Sequence, residues 1–172
     1  HFVGSEPSFI NTPETFYNLV LNKTHAGFDG LQYMDGDSIS VLNDLTLTDG
    51  TFELNDYTKM YVGGDITLAS GAGLNAYDES PSIYSDGSWT NNNATFNNLW
   101  GFNPGLSSHV IFNLPDTAYL TSAAAEEVFC NLSFTGNYVG PGHYFFFLNN
   151  GMQVIGDYHS NRAVVRAQGD LV

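Results

Sequence analysis

The chain has 172 residues, of which 42% are hydrophobic and 15% aromatic, so it carries enough apolar side chain for one folded domain and is not a disordered polymer. Its 18 acidic residues against 4 basic ones, a net charge of −14, exclude nucleic-acid and anionic-lipid partners, which require clustered Lys and Arg. No apolar run approaches the ~20 residues that span a bilayer, so membrane insertion is not expected.

In chain order, the opening HFVG and the run FYNLVL at Phe16 read as short strands. Next comes SVLNDLTLTDG, from Ser40 to Gly50, and twenty-one residues later YVGGDITLASG, from Tyr61 to Gly71. A third version, YSDGSWTNN, begins at Tyr84. Aligned on their turns, the three place Leu45, Ile66 and Trp89 in one column and Thr46, Thr67 and Thr90 in the next. Side chains alternate across a strand, so the first column faces inward and the second outward.

A period of 21–23 residues, with short β runs broken by Gly, Asn and Asp, predicts an all-β chain wound as a parallel β-helix, or β-solenoid, with about three strands per coil. One coil cannot bury its own apolar face, whereas stacked coils can. The only helix-like run, TSAAAEEVF from Thr121 to Phe129, is too short for a stable helix and is expected to be a loop or a single turn. A longer echo relates FYNLVL at Phe16 to FCNLSF at Phe129, and GGDITL at Gly63 to QGDLV at Gln168. It suggests a larger repeat of several coils. With strand patterns running at both ends, residues 1–172 read as a single β-solenoid segment of a longer repeat protein.

The run GSWTNN…FNPGLSSHVIFN…FCNLSF resembles text such as GNWTNNGTFNPGTSTVVFNG…FYNLTI in large secreted proteins of Bacteroidota. The likeness is carried by Gly87, Trp89, Thr90, Asn91 and Asn92, then by Phe102, Asn103, Pro104 and Gly105, and then by Phe129, Asn131 and Leu132. These are giant cell-surface adhesins and gliding-type filament proteins exported by the type IX secretion system. The resemblance implies a right-handed β-helix at the bacterial cell surface without catalytic activity. Its partners would be neighbouring repeats, the export machinery and surface glycans. Two insertions depart from the family pattern, NNNATFNNLWGFNPG and LTSAAAEEV, and are expected to be surface loops. The resemblance also implies O-glycosylation in Asp-Ser/Thr motifs, which places candidate sites at Ser38 in DSI and Thr117 in DTA.

Catalysis on a β-helix needs paired carboxylates, or a metal with a basic residue. Lys23, Lys59, Arg162 and Arg166 are scattered, and the pairs Asp78–Glu79 and Glu126–Glu127 read as solvated turns. Asp35 and Asp37 in MDGDS could aim alternate carboxylates at calcium; no other cofactor is indicated. His25, His109, His143 and His159 lack metal-ligand spacing and read as surface or edge positions. Cys130, the single cysteine, sits in an apolar run and reads as a buried thiol. Of the aromatics, Trp100 in the long insertion is the candidate ligand contact, and the Tyr144–Phe147 run is a second sugar-platform candidate. The expected function is therefore a structural or adhesive segment, with a carbohydrate-binding module and a polysaccharide-active enzyme as the alternatives. A regular Thr ladder would also suit ice, but the doubled Thr-x-Thr pattern occurs only at Thr46 and Thr48.

Overall fold

A computed structural model describes residues 1–24, 31–33, 37–76, 80–97, 108–114, 118–123, 127–136, 144–147, 151–154, 158–161, 164–167 and 170–171. Among them there is no helix. The strands run β1 (Phe2–Gly4), β2 (Ser8–Ile10), β3 (Glu14–Phe16), β4 (Leu19–Lys23), β5 (Leu31–Tyr33), β6 (Ser38–Val41) and β7 (Leu45–Leu54). The middle coils continue with β8 (Lys59–Val62), β9 (Ile66–Leu68), β10 (Ala72–Asn75), β11 (Ser82–Ser85), β12 (Trp89–Asn91) and β13 (Thr95–Asn97). Then follow β14 (His109–Leu114), β15 (Ala118–Ser122), β16 (Glu127–Phe129), β17 (Asn131–Gly136) and β18 (Tyr144–Phe147). The last are β19 (Gly151–Val154), β20 (Tyr158–Asn161), β21 (Val164–Ala167) and β22 (Asp170–Leu171).

All pairings are parallel, and the chain is a β-solenoid. The first face stacks β1, β4, β7, β9, β12, β15, β18 and β21 in that order. The second stacks β3, β6, β8, β11, β14, β17 and β20. The third is built by β2, β5, the far half of β7, β10 and β13. A separate sheet of β16, β19 and β22 takes the corresponding place in the later coils' chain order.

The expected columns are present in register. Leu45 pairs with Ile66 and Ile66 with Trp89, while Thr46 pairs with Thr67 and Thr67 with Thr90. Leu19, Leu45, Ile66, Trp89 and Leu120 are all buried, and the threonines stand half-buried on the other side. Steps of 21 and 23 residues hold at the centre, and widen to 26 between Leu19 and Leu45 and to 31 between Trp89 and Leu120.

Three expectations are corrected. The run from Thr121 is no loop at either end: β15 carries Thr121 into register with Thr90 and buries Leu120 and Ser122, and residues 127–129 form β16. The first part of the insertion beginning at Asn91 is likewise in the wall, for β13 pairs with β10 and Phe96 packs on the core; its residues 98–105 lie outside the described residues. The longer echo is not a structural repeat, since Phe16 and Phe129 lie in different sheets, as do Leu19 and Leu132.

The corner between the second and first faces is closed by a polar staircase. The side-chain oxygen of Asn18 accepts the backbone N–H of Asp44 at 3.2 Å. Asp44 does the same for Asp65 at 3.0 Å, and Asp65 for Ser88 at 2.8 Å. The Ser88 hydroxyl accepts from the N–H of Tyr119 at 3.1 Å. Each coil thus accepts an N–H of the next at this corner, from a turn at Asp44, Asp65 and Ser88 and from the start of β15 at Tyr119. Gly64 leaves the room this requires, because a Cβ there would collide with the Asp44 carboxylate.

The interior is mainly apolar and changes character along the stack. Leu, Ile, Val and Met fill most of the middle, with Phe52 on the third face, and beyond them Trp89, Phe96, Phe112, Phe129 and Phe134 form one aromatic cluster. Trp89 lies 5.0 Å from Phe96 and 5.7 Å from Phe129, and Phe112 stacks on Phe134 at 5.5 Å. Cys130 is buried, as its apolar setting predicts. Lys23 is also buried; its ammonium group donates to the Glu6 carbonyl and to the Ser8 hydroxyl.

Candidate functional site

The second face is where outward side chains gather chemistry. Alternation buries Ile39, Val41, Met60, Val62 and Ile83 and turns their neighbours outward. Register then sets Ser40, Tyr61, Tyr84, Ile111 and Ser133 in one outer column. Neighbouring parallel strands lie about 4.8 Å apart, a distance at which like aromatic rings in register can stack. Tyr61 and Tyr84 do so, with ring centroids 4.7 Å apart and planes 14° from parallel.

Beside this column runs the corner position of each coil, occupied by Leu42, Gly63 and Asp86. Leu42 is 61% exposed. At Gly63 the preceding coil comes so close that a Cβ would strike the Leu42 carbonyl oxygen. The missing side chain opens a groove of ≈ 270 Å³ between the tyrosines and the corner. At its far end Asn113 donates to the Asp86 carboxylate at 3.3 Å and accepts from the Thr135 hydroxyl at 2.6 Å. The amide is therefore held in place by two coils.

Lower on the same face, His109 Nε2 lies 2.7 Å from the Ser133 hydroxyl. Ser133 is nearly covered, at 6% exposure, which leaves little access for a substrate.

Of the sequence-predicted site residues, Asp37 and Ser38 are described. Both are half-buried, Asp37 just before β6 and Ser38 as its first residue, in register with Lys59. The Asp37 carbonyl accepts the N–H of Lys59. Asp35, Trp100 and Thr117 lie outside the described residues, as do His25, Asp78, Glu79, Glu126, His143 and Arg162. The backbone of Tyr144–Phe147 pairs with β15 and β21, but its side chains are outside the description, as are those of Glu127, His159 and Arg166. No group of three or more His, Cys, Asp or Glu poised for a metal occurs among the described residues, nor does any helix long and apolar enough to cross a membrane.

Tyr61 and Tyr84 were within reach of sequence reasoning. They stand twenty-three residues apart, the same step that relates Ile66 to Trp89, so the repeat alignment carried back five positions finds them. No family model matches the chain, and no curated protein or solved structure matches it.

Proposed function

We propose that this chain is a structural and adhesive segment of a large secreted bacterial cell-surface protein, a stiff stalk or filament section that displays its outer columns and loops. The observation that supports this most is the unbroken first face, where eight parallel strands stack in one order. At about 4.8 Å per strand that is a rod of ~34 Å, which each added coil lengthens without a new kind of core. The buried apolar column from Leu19 to Leu120 and the staircase at the corner fix each coil on the last, which suits a spacer that must hold its length. Its partners are the neighbouring repeats of the same chain, the type IX machinery during export, and glycans on the surface it meets. The segment carries no reaction.

Gold-labelled antibodies raised against this chain and applied to intact cells of its source test the proposal. Labelling on the outer surface is expected, and its loss in cells lacking type IX export. Signal confined to permeabilised cells would overturn it.

A further inference from the structure

Three consecutive coils meet at the corner of the groove. The pairs Val41–Val62 and Val62–Ser85 set the next residues, Leu42, Gly63 and Asp86, one above the other, so the outer two stand about 10 Å apart. Gly63 leaves the middle of that column without a side chain. A slot therefore opens between a leucine and a carboxylate. The stacked Tyr61–Tyr84 pair walls it on the second face. Ser40, on the coil before Tyr61, leaves a gap there because its side chain is small. The groove's size, ≈ 270 Å³, lies just below the ~300–1,000 Å³ usual for small-molecule sites and is room for one long side chain rather than a cofactor.

The two ends of the slot differ in chemistry. Leu42 is exposed and offers apolar surface to the stem of a long side chain. At the other end Asp86 is half-buried. Among the described residues its carboxylate receives one hydrogen bond, from the neutral Asn113 amide at 3.3 Å, and meets no cation. Asp44 and Asp65, by contrast, each accept an N–H of the next coil. A carboxylate partly removed from water without a counter-charge is at a disadvantage that an incoming cation relieves. No cationic side chain lines the groove, and the chain's charge of −14 draws basic partners towards it. Of the two basic side chains arginine is the better fit. Its planar guanidinium matches a carboxylate with two parallel hydrogen bonds. It is also weakly hydrated, so it enters a half-apolar slot more readily than the compact ammonium of lysine. We infer that the groove is a docking point for a basic partner polypeptide, which lays one arginine side chain over Gly63 with its stem on Leu42 and its guanidinium on Asp86. This goes beyond the stalk reading and does not depend on it.

Amide chemical shifts of the whole chain, titrated at constant ionic strength with the blocked tripeptide acetyl-Gly-Arg-Gly-amide, test the assignment. For one side chain a Kd on the order of 1–10 mM is expected, so titration to ~50 mM suffices. Saturable shifts should centre on Leu42, Gly63 and Asp86. The same peptide with citrulline, which has arginine's shape without its charge, should bind ~10-fold more weakly or worse. The lysine peptide should also bind more weakly than the arginine peptide. Asp86→Asn keeps the shape of the side chain and removes its charge. It should weaken binding by ~10-fold or more, an amount equal to about 1.4 kcal/mol, while leaving the rest of the amide spectrum in place. Leu42→Arg, at an exposed position, sets a guanidinium of the chain's own beside the slot and should compete with the peptide. The absence of any saturable shift with the arginine peptide would overturn the assignment. So would equal binding of the citrulline or lysine peptide, or binding that survives either variant. Shifts of the same size and midpoint with guanidinium chloride would also overturn it, for they would mark a site for a small ion only.

Discussion

The middle coils and those that follow solve the same packing problem with different side chains. In the middle, Leu45 and Ile66 face one another across a step of 21 residues, flanked by Leu47, Leu68, Met60 and Val62. One coil later the same column holds Trp89, and the next step takes 31 residues to reach Leu120. The interior there is the aromatic cluster with Phe96, Phe112, Phe129 and Phe134. Yet the corner staircase continues through both regions, from Asp44 to Asp65 to Ser88 to Tyr119, with a hydroxyl replacing the carboxylate at its last step. Register in this molecule follows the backbone ladder and its corner hydrogen bonds, and the interior side chains adapt to the space between. Between Trp89 and Leu120 the longer step leaves the column in register, whereas between β4 and β7 the register shifts by one residue at Thr48, with Leu21 on Leu47 and Asn22 on Asp49.

That comparison can be broken first at its largest side chain. Trp89→Ala removes the hub of the aromatic cluster and should destabilise the chain by about 3–5 kcal/mol, whereas Ile66→Val in the same column should cost only about 0.5–1.5 kcal/mol. Equilibrium urea unfolding of both variants measures the difference; equal losses would mean that the two interiors are not distinct. The corner is tested by Gly64→Ala, expected to cost about 1–3 kcal/mol because the new Cβ meets the Asp44 carboxylate. Adding Asp44→Ala should recover part of that loss, so the double-mutant cycle should show a coupling of at least ~0.5 kcal/mol. Additive losses would place the strain in the backbone instead. The smallest effect is expected at Thr67→Val on the outer ladder, within about ±0.5 kcal/mol. A larger loss would show that the threonine hydroxyls take part in holding the coils.

The central coils were legible because they obey two simple rules at once, alternation along the strand and a constant step between coils. Leu45, Ile66 and Trp89 satisfy both, and the half-buried Thr46, Thr67 and Thr90 follow. Thr121 belongs to the same ladder but hides behind a longer step and an Ala- and Glu-rich sequel with little strand propensity, so packing overrides propensity there. The longer echo misled because Phe-x-Asn-Leu suits more than one corner: it leads from the second face to the first at Phe16, and into the second face at Asn131. Lys23 gives no sign of burial in the sequence, since the Glu6 carbonyl and Ser8 hydroxyl that receive its ammonium group come from the coil before. The groove was half-legible. Its tyrosines lie on the repeat, but the gap at Ser40 and the close approach at Gly63 are properties of the stack.

The stack itself is the central claim, and paired spin labels test it most directly. Val20, Thr46, Thr67, Thr90 and Thr121 are consecutive positions of one outer column. Nitroxides at Thr46 and Thr67 should lie about 5 Å apart and broaden each other's spectra strongly. A pair at Val20 and Thr121, four steps apart, should give a narrow distribution near ~19 Å. A broad distribution, or a Val20–Thr121 separation unrelated to four strand spacings, would contradict the solenoid register and the display surface built on it.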